Sequence, residues 1–294
     1  MFKNKIYDEV TIVTVTHNSG EILETFLSSL DFNFNLIVVD NDSTDNTKTI
    51  LKNLNHSKIN LIFNKIGLGF GSAANIGIRK SKTKYILLTN PDTKMDRLSI
   101  SKLYESYKRY PNAAIISPLH KNSQGEVHLP TKPFFFNGTR DSLNLENIQG
   151  DCSVEHLSGA IMLVDKEKIL KLGSFDENFF LYYEDDDLCI KSRKHGFENI
   201  LVPDVIIEHL VGGSIGPPTV KNQWEKFVNM SYSRCYIEKK YFGNLSSRKL
   251  SLSIIVKSIF KSLGHLITLQ FKKLLKDISH FYGAFIYLIG KKTK

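Results

Sequence analysis

Along the first half of the chain, short runs of β-branched and aliphatic residues alternate with stretches whose apolar positions recur every three to four residues. The runs at 10–15, 36–39, 60–63, 85–88 and 113–116 read as strands, and the stretches at 21–30, 45–54, 72–81 and 98–110 read as helices. This alternation predicts an α/β fold, a mostly parallel sheet with helices on both faces. After residue 116 the pattern breaks. Ser117 to Ser153 holds Pro118, Gly125, Pro130, Pro133 and Gly138 with little periodicity, and reads as a long excursion over a site or against a partner. Periodicity returns with a strand at 160–164, a short helix at 166–172, a helix opening near Glu184 and strands around 199–202 and 205–207.

A different pattern fills the C-terminal end. Leu252, Ile255, Ile259, Leu263, Leu266 and Ile267 recur at helical spacing with Lys257 and Lys261 between them, and Leu274, Ile278, Phe281, Phe285 and Leu288 repeat the pattern. The longest uncharged stretch there, Ile278 to Gly290, has thirteen residues. That is short of the roughly 18 a spanning helix needs, so the segment reads as basic amphipathic helices lying in a membrane interface. Helices packed on the rest of the chain, or on a second copy in a homo-oligomer, are the other reading, because amphipathicity alone does not separate the two.

Charge sharpens this division. The net charge is +9, yet from Lys239 onward twelve basic residues face a single acid, Asp277. The preceding residues are thus close to neutral, which argues against a nucleic-acid-binding core and for a tail that meets an anionic surface. With 294 residues, 41% of them hydrophobic, the chain can bury one large domain plus an appendage. Cys152, Cys189 and Cys235 are odd in number and lack metal-ligand spacing, which points to a reducing compartment. The opening MFKNKIYDEV lacks an apolar stretch of signal-peptide length, so a cleaved signal is not expected.

Candidate chemistry sits where strands are expected to end. In open α/β sheets, ligands bind beyond the carboxyl ends of the strands, where Thr16-His17-Asn18, Asp40 to Ser43 and Asn90-Pro91-Asp92 all fall. Together with Glu184 to Asp187, these carboxylates would repel one another without a divalent cation or a polyphosphate partner. Each segment also has a plainer reading. Asp40 to Asp45 can be a loop with a helix cap, Asn90-Pro91-Asp92 a turn, and the four acids a complement to a helix dipole. Gly67 to Gly77 has neither a Walker lysine nor dinucleotide-loop spacing; it reads as close helix packing or as a loop leading to a helix beneath a nucleotide. His209, after the acidic cluster and before a glycine pair, is a structural histidine or a metal ligand.

The order TVTHNS, LIVVDNDSTDNT, NKIGLGFGSAANIGI, LLTNPDT, LSGAIMLV, GSFDENFFLYYEDDDLCIKSRKHG and IIEHLVGGSIG resembles a family 2 glycosyltransferase of GT-A fold, in particular its rhamnosyltransferase-like members, over about residues 8–243. The resemblance implies a GT-A domain at 1–243, leaving a basic helical tail at 244–294. It implies a nucleotide-sugar donor, dTDP- or UDP-linked with L-rhamnose in view, and a cell-surface glycan or lipid-linked acceptor. It implies that Thr16, Asn18, Asp40, Asp42, Gly71 and Asn75 serve the nucleotide sugar. Asn90 and Asp92 fall on the family's D-x-D motif, where Asn90 replaces the first acid and removes one anionic ligand, which leaves strict metal dependence open. Asp92 and His209 are then the ligands for Mg²⁺ or Mn²⁺. Asp185 is the implied base, with Glu184 orienting acceptor or base and Asp187 a structural helix-start residue. Such an enzyme would work in the cytoplasm as a peripheral protein on the inner face of the plasma membrane. The Gln223-Trp224 pair is not the Q-x-x-R-W arrangement of processive synthases. A sugar nucleotidyltransferase, which would carry an early basic phosphate loop, and a non-catalytic glycan-binding relative are the competing readings.

Overall fold

A computed structural model describes residues 5–129, 145, 148–210 and 219–293. They divide into two compact units, Met1–Asp176 with Asp185–Ile215, and Glu177–Glu184 with Gly216–Lys294.

The first unit is built on one mixed sheet. Its elements run α1 (Lys5–Glu9), β1 (Val10–Thr16), α2 (Gly20–Ser29), β2 (Asn35–Asp40), α3 (Thr47–Lys52), β3 (Ile59–Phe63), α4 (Phe70–Lys80), β4 (Tyr85–Thr89), β5 (Thr93–Lys94), α5 (Arg97–Arg109), β6 (Ala113–Lys121), β7 (Val127–His128), β8 (Cys152–Ser153), β9 (Ile161–Asp165), α6 (Lys166–Lys171), α7 (Glu184–Lys194) and β10 (Glu198–His209). The strand order is β3-β2-β1-β4-β9-β6-β10-β5. The first four are parallel, as their β-α alternation dictates, and β9 enters antiparallel between β4 and β6.

Period-two alternation assigns the two cores. Ile12, Leu36, Val38 and Leu87 face one side, packing with Leu23 and Phe26 of α2 and Ile100 and Leu103 of α5. Their neighbours Val13, Ile37, Val39, Ile86 and Leu88 face the other, with Ala73, Ala74 and Ile78 of α4 and Leu188 of α7. A sheet covered on both faces needs such near-continuous apolar strands, and this one has them.

Several boundaries differ from the sequence reading. The excursion does not begin at Ser117: β6 continues to Lys121, and β7 and β8 add further pairs, while residues 130–144, 146 and 147 lie outside the described residues. Pro118 disguised this strand. It pairs with Val202 at the point where the register jumps to Leu119 opposite Ile206, so an irregularity containing Pro203 faces a residue that has no N–H to donate. The same irregularity made one strand, β10, read as two.

In the second unit, α8 (Val220–Ile267) is kinked at Gly243, whose φ of 88° is non-helical, and α9 (Phe271–Leu288) follows. The helical segment therefore begins well before residue 244, and the boundary drawn from the sequence falls at its kink. The two arms of α8 both pack on α9. Trp224 meets Tyr282 and Phe227 meets His280 on the first arm, while Ser251 Oγ donates to the Ala284 carbonyl at 2.9 Å on the second. Gly283 lets α9 touch α8, since a Cβ there would stand 2.3 Å from the Val228 carbonyl oxygen. By length and composition α8 is also apolar enough to cross a membrane, so the interruption of its apolar runs by lysine does not by itself exclude spanning.

α4 lies close to the sheet because its buried positions, Ile78 apart, are small or short: Gly71, Ser72, Ala73, Ala74, Asn75 and Gly77. A Cβ on Gly77 would stand 2.4 Å from Val13 Cγ1, on a buried β-branched side chain with little freedom to turn away. Gly77→Val is therefore expected to destabilise the first unit by about 1–3 kcal/mol, measured by urea unfolding. An unchanged midpoint would mean that α4 can move off β1 at no cost.

Candidate active site

The carboxyl ends of β1, β2 and β4 deliver the predicted donor-site residues to one edge of the sheet. Thr16 and Asp40, the last residues of β1 and β2, pair in register, and Thr16 Oγ1 donates to Asp40 Oδ1 at 3.2 Å. Asp40 is fully buried; its other oxygen accepts from Ser43 N at 3.2 Å, and Lys48 Nζ stands 3.9 Å away. Asp42 lies beyond it at a φ of 65°, partly exposed, with Lys48 Nζ at 3.5 Å. The left-handed conformation turns this carboxylate outward while Asp40 is spent on the loop.

Two of the residues expected to serve the donor also brace the loops. Asn18, also at positive φ, accepts on its side-chain oxygen from Thr44 N at 2.7 Å and Asp45 N at 3.3 Å, which ties the first loop to the second. Asn75 donates to the Phe175 carbonyl at 2.9 Å and accepts from Phe175 N at 3.0 Å, pinning α4 to a segment a hundred residues away. Gly71 lies buried in the first turn of α4, and that helix is capped by Gly69 at a φ of 83°. Asn41, which the sequence did not single out, accepts from Leu68 N at 3.0 Å and so fixes this glycine loop to the end of β2.

At the next exit, Asn90 N donates to the Ala160 carbonyl at 2.9 Å, extending the β4–β9 pairing by one residue. Asp92 follows, its side chain wholly buried, with Oδ1 3.4 Å from Nε2 of His209. Two short ladders make this approach possible. β5 pairs antiparallel with β10, setting Thr93 opposite His209, and Leu210 N donates to the Asp92 carbonyl at 2.8 Å. The predicted metal pair is thus brought together from positions more than a hundred residues apart. His120, at the carboxyl end of β6, stands edge-on to His209 with ring centroids 5.3 Å apart. Its burial, with His209 adding to it, pushes this imidazole down to about 3, so it is neutral.

The acidic cluster separates into distinct roles. Asp185 is held by two backbone donors, Gly159 N to Oδ2 at 2.9 Å and Asp186 N to Oδ1 at 3.0 Å. Gly159 lies close against this side chain, since a Cβ there would stand 3.2 Å from the Asp185 Cβ. Asp187 is fully buried and pairs with Lys191 at 3.3 Å, one helical turn on, which makes it a structural residue of α7. Glu184 opens α7, buried, immediately after Tyr182 and Tyr183, both at a φ of 70°. Burial, with the charge of Glu184 adding to it, pushes the Tyr182 hydroxyl up to about 12.

His156 is a second residue that sequence reasoning passed over. Its Nε2 lies 3.7 Å from Asp185 and 3.4 Å from Asp186, and donor atoms of all three fall within 4.8 Å of one another. Among the described residues of this sheet edge, two places therefore offer nitrogen and carboxylate oxygen to a cation: Asp92 with His209, and His156 with Asp185 and Asp186. The first leaves Asp185 with an oxygen to accept a proton; the second would occupy it.

The model of the family described as glycosyl transferase family 2 matches residues 11–172. The N-acetylglucosaminyl-diphospho-decaprenol L-rhamnosyltransferase of Mycobacterium tuberculosis is 27% identical over 241 residues, 71% of this chain and 78% of that protein. The dTDP-rhamnosyl transferase RfbF of Shigella flexneri is 27% identical over 205 residues, 68% of each. Among solved structures, the mannosyltransferase PcManGT of Pyrobaculum calidifontis, in complex with GDP-Man and Mn²⁺, superposes with a TM-score of 0.57 at 13% identity, covering 97% of this chain and 88% of that one, a likeness of GT-A fold. With the family model spanning more than half its length and its motifs gathered at one sheet edge, the chain belongs to glycosyltransferase family 2.

Proposed function

We propose that this glycosyltransferase moves one L-rhamnose from dTDP-L-rhamnose to a hydroxyl of a lipid-linked glycan precursor, inverting the anomeric carbon, in the cytoplasm at the inner face of the plasma membrane. The observation that carries the reading is the Asn90–Ala160 hydrogen bond, which sets the Asp92–His209 pair and the Gly159–Asp185 contact along a single edge. The rhamnosyltransferase names of the two relatives support the sugar, one of them supports a diphospho-polyprenol acceptor and the other supports dTDP. UDP-sugars are the second donor class to test.

In this reading the edge formed by Thr16, Asp40 and Asp42 takes the base and ribose, with Asp42 the outward acceptor for a ribose hydroxyl. Asn18 and Asn75 serve the donor by holding loop and helix in place, and Gly71 allows the start of α4 to approach the nucleotide. Asn90 and Asp92 face the diphosphate. A buried carboxylate beside an imidazole suits Mn²⁺ or Mg²⁺ completed by phosphate oxygens, so Asp92 and His209 would hold the ion. Such an ion, when bound, neutralises charge developing on the leaving diphosphate. Asp185, steadied by two N–H donors, takes the proton of the acceptor hydroxyl as its oxygen bonds to the anomeric carbon and the bond to the diphosphate breaks. Glu184 orients the acceptor. A nucleotidyltransferase fits less well, because the loop after β1 offers His17 alone as a basic residue.

Asp185→Asn is expected to lower transfer about a hundredfold or more while metal-dependent nucleotide binding survives, measured by product formation and titration calorimetry. Retained turnover would sink the assignment, and loss of metal-dependent binding would make Asp185 a ligand instead. Thermal stabilisation gives an independent check, since a ligand that binds only the folded state raises the melting temperature, by about 2.7 kcal/mol of stability at a hundred times its Kd. dTDP compounds with Mn²⁺ are expected to give the largest shift, and Asn90→Asp to raise the Mn²⁺ affinity. No change on that substitution would mean that position 90 faces away from the ion.

A further inference from the structure

The second arm of α8 and all of α9 are built inside out. Where these helices pack together, the buried positions are mostly small or polar: Ser247, Ser251 and Ser258 on the second arm of α8, and Asp277, Ser279, Gly283 and Ala284 on α9, with Ile286 the one large apolar side chain among them. Large apolar side chains point the other way. Leu252, Val256, Ile259, Phe260, Leu263 and Ile267 follow one another along a single helical face and are exposed, and Ile278, Tyr282, Phe285 and Ile289 form a matching exposed stripe on α9. Only 11% of the apolar window in α8 is buried, unlike the mostly buried core helix of a water-soluble bundle. Small residues at the helix contact and large apolar ones outside are the arrangement that lipid selects, because close approach of backbones then drives association.

The turn between the helices carries the same signature. Ile267, Leu269 and Phe271 are 82%, 68% and 65% exposed at its tip. Leu269 sits at a φ of 53° just past the helix end, a place where water favours glycine or asparagine. Between Lys261 and Lys272 no Lys, Arg, Asp or Glu occurs, and the one acid of the segment, Asp277, turns inward to His265 at 2.7 Å. Lys257, Lys261, Lys272, Lys273 and Lys276 are exposed around this apolar tip. Their charge commits the surface to one occupant. An exposed acid-free apolar tip ringed by lysines matches an anionic lipid leaflet, with the stems of the lysines in the apolar zone and their ammonium groups among the headgroups.

We infer that the 267–271 turn and the adjoining exposed faces of α8 and α9 insert into one leaflet of an anionic bilayer, as a monotopic anchor. This gives the enzyme's place at a membrane a physical basis; it rests on that part of the proposed function and is tested without reference to donor or acceptor. Flotation of the full chain is expected with vesicles of mixed phosphatidylglycerol and phosphatidylcholine, and to fall at least tenfold with phosphatidylcholine alone. The combined variant Ile267→Asp, Leu269→Asp and Phe271→Asp, at exposed positions that leave the helix contacts intact, is expected to lose flotation at least tenfold. Lys257→Gln with Lys261→Gln and Lys272→Gln, which leaves the apolar tip in place, is expected to remove the preference for anionic vesicles. Circular dichroism checks that each variant is folded. Flotation unchanged in both variants would overturn the inference. So would a wild-type chain that stays off anionic vesicles and runs as a dimer, since the face would then belong to a second copy. Transfer to a soluble acceptor, assayed alongside, is expected to survive in the tip variant; its loss in the wild type would count against the enzyme reading and leave the anchor standing.

Discussion

The antiparallel entry of β9 between β4 and β6 is the constraint on which the site depends. Parallel strands alone would bring Thr16, Asp40 and Asn90 to one edge, because each follows a strand that runs the same way. They would not bring Asp185. β9 runs backward, so the residues that precede it, 156–160, arrive at that edge rather than leave from the far one. Gly159 then holds Asp185 through its N–H, and Ala160 takes the bond from Asn90. Reversing one strand among parallel neighbours couples the donor half of the edge to the residue assigned to the acceptor half.

How much of this was legible in the sequence depended on the range of the signal. The early strands and helices were readable because their apolar patterns are local and long enough to count, and motif order was enough to single out Asp40, Asp92 and Asp185 as candidates. His120 and His156 were not. Each is a lone histidine with no motif around it, and what gives it meaning is a neighbour supplied by topology: His209 through the β6–β10 ladder, Asp185 through the β9 turn. Asn18 and Asn75 were expected to serve the donor, and a sequence does not show that the oxygen of each amide also accepts from backbone. Pro118 and Pro203 misled in the opposite direction. Each breaks a strand pattern by itself, and the two together make one tolerated irregularity.

The two units solve opposite packing problems with the same few residue types. In the first, glycine and alanine on α4 let a helix approach strands whose large side chains face inward. In the second, glycine and serine let helices approach each other while the large side chains face outward. Hydropathy patterning sees amphipathic helices in both; only burial reveals which side is the inside.

Gly77 sets a dimension as well as a contact. Because α4 rests directly on Val13 and Val39 at Gly77, the height of the helix above β1 and β2 is fixed there by backbone thickness. Asn75 apart, the glycine-rich segment is then a spacer, in which small bulk is what the packing requires. Laboratory evolution toward a larger donor should accordingly leave positions 71–77 small and find its changes in the loops beyond the strand ends.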